Sequence, residues 1–231
     1  MAEFDYIKRN LEALTEDIKE IALKASVPVP KLVSVTKSAT DEELVALIRY
    51  GASAIGENRP QELHRRGELL LSEGLTPELH QIGTLQSNKA KLVCPSAVLI
   101  HSLDSLSLAK ELNKQGVKLG KKIPVLIEIN SASEPQKGGI VPGEAERFLN
   151  SILEFGELQV KGLMTMGPAD CDSAELRGYF RLTKKLFDDL HLRYGFTEEP
   201  VLSMGMSDSY PIAIEEGSTL VRVGRRLFIK N

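Results

Sequence analysis

Three strand-like segments of the chain end in residues that could bind a phosphorylated aldehyde. Lys37 closes the apolar run of residues 32–36 and supplies a primary amine. Two runs near the end of the chain lead into Met204-Gly-Met-Ser-Asp208 and Gly224-Arg-Arg226, turns rich in glycine, hydroxyl groups and positive charge. An amine forms a Schiff base with an aldehyde, and backbone N–H groups in such turns bind phosphate. The three segments together therefore predict a site for a phosphorylated aldehyde.

The direction of the Lys37 side chain follows from the periodicity of a strand. Alternate residues of a strand face the same side, so we expect Lys37 to point inward with Val33 and Val35. A lysine in that position would be partly desolvated, which lowers its pKa and leaves a neutral amine for Schiff-base chemistry. The alternative is an ordinary solvated lysine at the end of a strand.

The turns after the last two apolar runs are the candidates for holding phosphate. Met204 and Ser207 lie in a turn just before a helical pattern with Pro211 near its start, where free N–H groups would face an anion. An ordinary Ser or Asp cap on that helix is the alternative. In the later turn, Gly224 allows the backbone to approach a phosphate, and Arg225 and Arg226 supply charge. A tight turn with a solvated basic tail is the alternative there.

Two further polar residues lie where strands end. Arg222 lies between two valines of the last apolar run, and a buried guanidinium needs an acceptor. That acceptor is either a carboxylate, such as Glu57 or Glu128, or a ring nitrogen of a ligand. Asn58 ends the second run and either hydrogen-bonds a phenolic oxygen or simply forms a turn.

Alternating strand and helix patterns must position these residues. Apolar runs at 32–36, 52–56, 79–83, 97–101, 123–129, 158–164, 200–204 and 219–223 alternate with helical patterns at 41–49, 60–71, 86–92, 105–115, 144–154, 173–193 and 210–216. Eight such units favour a single (β/α)8 barrel of the TIM type, although a doubly wound open sheet has the same alternation. In such barrels, active residues gather at the carboxyl ends of the strands.

The N-terminal segment predicts one further helix. Ile7, Leu11, Leu14, Ile18 and Ile21 recur at spacings of three and four residues, as on one face of an amphipathic helix. Only about eight residues follow the eighth run, too few for a full eighth helix. We expect the N-terminal helix to cover that gap, and one barrel domain to span residues 1–231.

Composition excludes several classes of function. The net charge is −3 with no basic block, so nucleic acid is not an expected partner. Cys94 and Cys171 are far apart and the four histidines lack metal-ligand spacing, which predicts free thiols in a reducing cytoplasm and no metal. No apolar run approaches the roughly 20 residues that span a bilayer. We expect a soluble, monomeric cytoplasmic protein.

Several short motifs give the chain a resemblance to a known family. They are Val33-Ser-Val-Thr-Lys37, Ile55-Gly-Glu-Asn58, His80-Gln-Ile-Gly83, Gln86-Ser-Asn-Lys89, Lys137-Gly-Gly139, Gly162-Leu-Met-Thr-Met166, Leu202-Ser-Met-Gly-Met-Ser-Asp208 and the segment 217–224. Together, in register over about residues 30–228, they resemble the pyridoxal 5′-phosphate (PLP) homeostasis proteins. The resemblance implies a barrel similar to the N-terminal domain of alanine racemase, with fold-type III PLP binding.

The resemblance also assigns roles to residues. It implies PLP held as an internal aldimine on Lys37, Arg222 facing the pyridine nitrogen, and phosphate held by Ser207 and the amides of Gly224 and Arg225. The family commonly continues after this last glycine with small residues and then Phe-Gly. Here two arginines follow Gly224 instead, which leaves the backbone contacts in place and puts the side-chain roles of those arginines in doubt.

The function expected from the resemblance is buffering or delivery of PLP, with PLP-dependent apoenzymes as recipients and without robust turnover. A fixed cation such as Arg222 beside the ring nitrogen weakens PLP as an electron sink. The alternative is an amino-acid racemase or decarboxylase whose missing acid or base would be His80 or Cys94. A Schiff-base aldolase acting on phosphosugars shares the lysine and the phosphate turns but needs no PLP.

Overall fold

The eight strands form a closed, parallel barrel in the computed structural model, which describes residues 2–134, 136–168 and 170–230. The strands are β1 (Lys31–Val35), β2 (Ala54–Glu57), β3 (Glu78–Gln81), β4 (Ala97–Leu103), β5 (Ile123–Glu128), β6 (Leu158–Met164), β7 (Val201–Ser203) and β8 (Leu220–Val223). Each strand pairs with its neighbours in chain order, and β1 pairs with β8 with Val33 opposite Arg222. The prediction of a (β/α)8 barrel is confirmed, and the open sheet is wrong.

Helices alternate with the strands, as the sequence predicts. They are α1 (Asp5–Ala25), α2 (Asp41–Arg49), α3 (Pro60–Ser72), α4 (Ala90–Val93), α5 (Leu106–Leu119), α6 (Ala145–Ile152), α7 (Ser173–Tyr194) and α8 (Tyr210–Glu215). Two of them begin with reciprocal capping boxes, Thr40 with Glu43 for α2 and Asp172 with Glu175 for α7. Such boxes satisfy N–H groups that a helix start leaves free, and so fix where these helices begin.

The largest boundary difference is at α5, which is predicted to end at residue 115 and continues to Leu119. Two other differences are smaller. β2 begins at Ala54, two residues late, because the chain is still closing α2: the N–H of Ala52 donates to Leu47 O at 3.2 Å. The helix predicted at 86–92 is divided into a 3-10 turn at Ser87–Lys89 and the short α4. Neither difference moves a predicted site residue to another strand.

The core has separate layers inside and outside the barrel. The interior is filled by a cluster of buried apolar side chains: Val33, Ala54, Leu99, Leu126, Met164 and Leu220. A larger apolar cluster lies between the strands and the helices around them. The filled interior leaves ligands only the ends of the barrel, as is usual for this fold.

Helix α1 covers the position where an eighth outer helix would lie. In the described residues only the 3-10 turn Arg225–Leu227 follows β8 in regular structure. The side-chain amide of Asn10 donates to Leu227 O at 3.2 Å and to Ile229 O at 2.9 Å. The predicted covering role of the N-terminal helix is therefore confirmed. None of the described helices combines the length and the apolar character needed to cross a bilayer.

Candidate functional site

A cavity of about 830 Å³ opens at the carboxyl ends of the strands. Six of the seven residues predicted from the sequence line it: Lys37, Asn58, Ser207, Arg222, Gly224 and Arg225. The seventh, Met204, lies fully buried below the turn after β7, where its N–H donates to Leu220 O at 3.2 Å. Met204 therefore shapes the turn from beneath and does not line the cavity.

Lys37 lies in the cavity two residues beyond the end of β1. The predicted periodicity is right, because Val33 belongs to the barrel interior and Val35 lines the cavity wall. The predicted partial desolvation is wrong, because Lys37 is exposed. The strand ends before Lys37, so the barrel no longer encloses it. Its amine makes no hydrogen bond or ion pair with any residue that the structure describes, and it is free to meet a ligand.

A buried ion pair fixes the loop that carries Lys37. Arg66 of α3 donates through Nη1 to Thr36 O and to Glu57 Oε1, both at 2.5 Å, and through Nη2 to Ala39 O at 2.7 Å. Glu57 also accepts a hydrogen bond from Thr36 Oγ1 at 2.5 Å. The loop around Lys37 is thus held from below by one guanidinium, and Glu57 is not the partner of Arg222 that the sequence allowed.

Unpaired backbone amides gather in the two turns after β7 and β8. The N–H groups of Ser207, Asp208 and Arg225 have no acceptor among the described residues. The turns are joined by the N–H of Gly224, which donates to Ser207 Oγ at 3.3 Å. A side chain at Gly224 would place its Cβ 2.7 Å from Val35 O, so only glycine fits there. This donor set matches the chemistry of a phosphate group.

The alternative interpretations of these turns fare differently. An ordinary Ser or Asp cap is wrong: the N-cap of α8 is Ser209, which makes no side-chain cap bond and accepts a backbone N–H within the turn. The two arginines after Gly224 have different partners. Arg225 lines the cavity and pairs with Asp208, whereas Arg226 pairs with Asp17 of α1 at 3.2 Å. Of these two arginines, only Arg225 can therefore add charge to the site.

Arg222 is buried in the floor of the cavity and has no carboxylate in contact. Its Nη1 donates to Ser203 Oγ at 2.5 Å and its Nη2 to Thr165 O at 3.1 Å. Glu57 and Glu128, the partners considered from the sequence, form no ion pair with it in the described structure. Burial lowers the pKa of Arg222 to about 10, against an opposing influence of Glu128, so the group stays cationic at neutral pH.

A chain of hydrogen bonds runs from Arg222 across the barrel interior. Ser203 Oγ lies 3.0 Å from His101 Nδ1, His101 Nε2 lies 2.9 Å from His80 Nδ1, and His80 Nε2 lies 3.4 Å from Glu78 Oε2. Because a guanidinium only donates, Ser203 accepts from Arg222 and directs its own hydrogen to His101. Each histidine then accepts at Nδ1 and donates at Nε2, which requires both to be neutral.

The far end of this chain lies at the opposite end of the barrel, where Glu78 pairs with Lys31. The hydrogen bond from His80, together with Lys31, lowers the pKa of Glu78 to about 2 against a raising effect of burial. Burial lowers the pKa of His80, and of His101 still further. The lowered pKa values of His80 and His101 both agree with neutral histidines. The position of Arg222 is therefore tied to groups at both ends of the barrel.

Glu128 is the site residue that the sequence did not reveal as a proton-handling group. It ends β5, is only 6% exposed and lines the cavity. Its carboxylate makes no hydrogen bond or ion pair with the described residues, and its oxygens are open to the cavity. Burial and the neighbouring Asp104 raise the pKa of Glu128 to about 7, while Arg222 lowers it. A carboxyl group with such a pKa can both hold and release a proton near neutrality.

The two acid–base candidates named from the sequence do not reach the cavity. His80 is buried in the barrel interior, below the cavity lining. Cys94 is buried at the end of α4, where burial raises its pKa to about 12. Both cysteines are free thiols, as expected, and Cys171 lies at the cavity wall.

Comparison with known proteins gives a consistent result. The profile of the family described as alanine racemase, N-terminal domain, matches residues 9–231. A pyridoxal phosphate homeostasis protein of Aquifex aeolicus is 40% identical over 198 residues, covering 86% of each chain. A crystal structure of an unknown protein from Bifidobacterium adolescentis has a TM-score of 0.89 at 32% identity, covering 98% of this chain and 96% of that one. PipY of Synechococcus elongatus, with PLP bound, has a TM-score of 0.83 at 28% identity, covering 96% and 100%.

The chain therefore belongs to the pyridoxal phosphate homeostasis proteins, within the alanine racemase N-terminal domain family. The resemblance carried by the short sequence motifs is confirmed.

Proposed function

We propose that this member of the pyridoxal phosphate homeostasis family binds PLP in the cavity at the mouth of the barrel and serves intracellular PLP homeostasis by buffering or delivering it. The observation that carries the proposal is one cavity that combines the free amine of Lys37 with the unpaired amides of Ser207, Asp208 and Arg225. An aldehyde and a phosphate on one small molecule match these two features. The structural similarity to PipY with PLP bound supports the same ligand.

The residues present fit each functional group of PLP. Lys37 would hold the aldehyde carbon, and the amides after β7 and β8, with Ser207, would hold the phosphate. Arg222 would face the pyridine nitrogen, and Asn58, whose side chain is free in the cavity, the phenolic oxygen. When bound, PLP supplies an aldehyde that bonds reversibly to amines and a ring that can withdraw electrons from a bound amine.

The protein residues favour storage over turnover. Arg222 is held in place by Ser203 and Thr165 and stays cationic, so it would oppose a proton on a ring nitrogen bound beside it. An unprotonated ring withdraws electrons weakly. A PLP-dependent racemase or decarboxylase is the second candidate, because Glu128 offers the cavity a proton-handling group. A phosphosugar aldolase is disfavoured, because the relatives are PLP proteins.

The remaining expectations belong to the same proposal. An exposed Lys37 in an open cavity suits transfer of PLP to recipient apoenzymes. All the groups assigned to PLP come from one chain, which suits a monomer. Two free thiols suit a reducing cytoplasm.

The test is the covalent link to Lys37. Purified protein should absorb in the visible range with PLP, and borohydride reduction should leave a pyridoxyl group on the Lys37 peptide in mass spectrometry. Lys37→Ala should lose this label but keep part of its PLP affinity, because the phosphate turns remain. Lys110→Ala, an exposed lysine on α5, serves as the matched control. A pyridoxyl group on another lysine would overturn the assignment.

A second measurement separates the storage role from the enzyme role. The wild-type protein is incubated with amino acids in deuterated water, and both α-proton exchange and chirality are followed. The storage role predicts little racemisation. Turnover at rates typical of enzymes, about 1 s⁻¹ or faster, would replace it with the enzyme role.

A further inference from the structure

Glu128 differs from every other charged group of the cavity because it is both buried and unpaired. It is 6% exposed, lines the cavity, and makes no hydrogen bond or ion pair with the part of the chain that the structure describes. The residue as a whole is buried, but its carboxylate oxygens are open to the cavity and so are available to a ligand. An unpaired carboxylate that faces a cavity is therefore arranged to meet a donor that the ligand brings.

The order of strands in the barrel shows which side of the cavity Glu128 occupies. Glu128 ends β5, four strands away from β1, after which Lys37 lies. Asp104 follows β4, four strands away from β8 and Gly224. In a closed barrel of eight strands, a separation of four is diametrically opposite. Glu128 thus faces the amine across the mouth, and Asp104 lies near Glu128 but outside the cavity lining.

None of the described charged groups around Glu128 forms an ion pair with it. Asp104 reinforces it from β4. Lys137, in the loop after β5, pairs with Glu134 at 2.5 Å, and Arg222 is bonded to neutral oxygen atoms. The mouth of the barrel therefore has one side that suits an anion and an opposite side that suits a cation.

We propose that Glu128, reinforced by the nearby negative charge of Asp104, forms a subsite for the primary ammonium group of an incoming amine, the partner that exchanges with Lys37. This inference rests on the proposed function, since it concerns the amine that meets PLP in the cavity. Primary ammonium fits because it is a compact cation with three N–H donors, and the Glu128 carboxylate offers only acceptors. The raised pKa of Glu128, about 7, supports a group that can also take a proton from that ammonium.

The proton transfer balances without any other reactant. The incoming ammonium gives one proton to the Glu128 carboxylate: one N–H bond breaks and one O–H bond forms. The amine keeps the electron pair and becomes neutral, and Glu128 becomes a neutral carboxylic acid. Only the neutral amine is a nucleophile for an aldehyde carbon. Glu128 would therefore both bind the amine and prepare it for exchange.

The ammonium could come from a free amino acid or from a lysine side chain of a recipient protein. Both present a primary ammonium group, but only the amino acid carries a carboxylate next to it. n-Propylamine imitates the lysine side chain, and glycine imitates the amino acid. Tighter binding of n-propylamine assigns the subsite to lysine side chains, and tighter binding of glycine assigns it to free amino acids.

The first experiment uses the PLP-free protein labelled with ¹³C at the glutamate carboxyl carbons. The Glu128 signal is identified by its loss in Glu128→Gln and titrated by NMR with and without n-propylamine or glycine. A bound ammonium should lower the pKa of Glu128 by about one unit or more, because a neighbouring cation favours the carboxylate. A pKa that neither amine changes would overturn the subsite. Because no PLP is present, this result is independent of whether the proposed function holds.

The second experiment uses the PLP-loaded protein and follows the change of its visible spectrum after mixing with the same amines. Glu128→Gln should slow the change by about tenfold or more, as expected for the loss of a proton acceptor. Glu144→Gln is the matched control, because Glu144 is an exposed glutamate outside the cavity lining. Equal rates in wild type and Glu128→Gln would contradict the proton-accepting role.

Discussion

The barrel buries two arginines, Arg66 and Arg222, and surrounds them differently. The guanidinium of Arg66 meets the carboxylate of Glu57 and two carbonyl groups, with side-chain exposures of 6% and 2% for the pair. The guanidinium of Arg222 meets only a hydroxyl and a carbonyl group, and lines the cavity. The charge of Arg66 is neutralised by Glu57, whereas the charge of Arg222 is not neutralised and lies at the cavity.

The difference separates a structural charge from a binding charge. A buried ion pair is costly to break, because removing one partner leaves the other unpaired in a poor solvent. A buried cation held by neutral groups keeps its electrostatic field for whatever enters the cavity. Arg66 thus fixes the loop that carries Lys37, and Arg222 keeps its charge at the cavity, where we propose that it acts on the ligand.

Removing Arg66 tests whether its ion pair with Glu57 is structural. Arg66→Met should lower the free energy of unfolding by about 3–5 kcal/mol, because Glu57 is left as an unpaired buried carboxylate. Urea unfolding followed by circular dichroism measures this loss. The double variant Arg66→Met/Glu57→Gln should recover part of it, since the uncompensated charge is gone. A loss below about 1 kcal/mol would mean that the ion pair does not hold the loop in place.

The second prediction extends the comparison to the unpaired acid Glu128. Its folded pKa is raised to about 7 from a reference value of 4.5. As the pH rises through this window, the unfolded state loses its proton first, so stability falls. Relative to Glu128→Gln, the wild type should lose up to about 3 kcal/mol between about pH 4.5 and pH 8. Urea unfolding of both proteins across this range measures the difference, and a constant difference would show that folding leaves the pKa of Glu128 unchanged.

The third prediction is that removing Arg222 barely changes stability. Arg222→Met loses two hydrogen bonds but also relieves the desolvation of a cation, and these two opposing effects are each about 3–4 kcal/mol. We expect a net change within about 1 kcal/mol, measured as for Arg66→Met. The absorption spectrum of bound PLP should change, because the charge near its ring is gone. Destabilisation as large as that of Arg66→Met would mean that Arg222 is also structural.

The sequence predicts the fold and most of the cavity wall because both follow from strand periodicity. Lys37, Ser207 and Gly224 lie where apolar runs end, and parallel strands bring all such ends to one edge of the barrel. Arg66 could have been noticed, because it lies on the apolar face of α3 with Leu63. The partners of Arg66 could not have been predicted, because Thr36, Glu57 and Ala39 lie outside α3.

Glu128 and the histidine chain could not be predicted for a related reason. β5 is apolar at both alternating sets of positions, so its sequence does not show which way Glu128 points. The link from His101 to Ser203 crosses the barrel between residues 102 positions apart. Such contacts depend on barrel closure and diameter, and no local pattern encodes them. Met204 shows a different limit of the sequence. It belongs to a correctly predicted turn, but the sequence does not show that its side chain lies beneath that turn and outside the cavity lining.

The covering of the barrel by α1 has a consequence for how the protein is made. Asn10 bonds to Leu227, 217 residues later. At synthesis rates of about 5–20 residues per second, this helix leaves the ribosome roughly 10–40 s before the segment on which it rests. During that interval its apolar face, including Ile7 and Leu11, has only the earlier part of its final cluster, such as Leu47 and Ala52, and still lacks Val221, Val223 and Leu227. Helix α1 therefore completes its packing late, and we expect chaperones to meet the growing chain there.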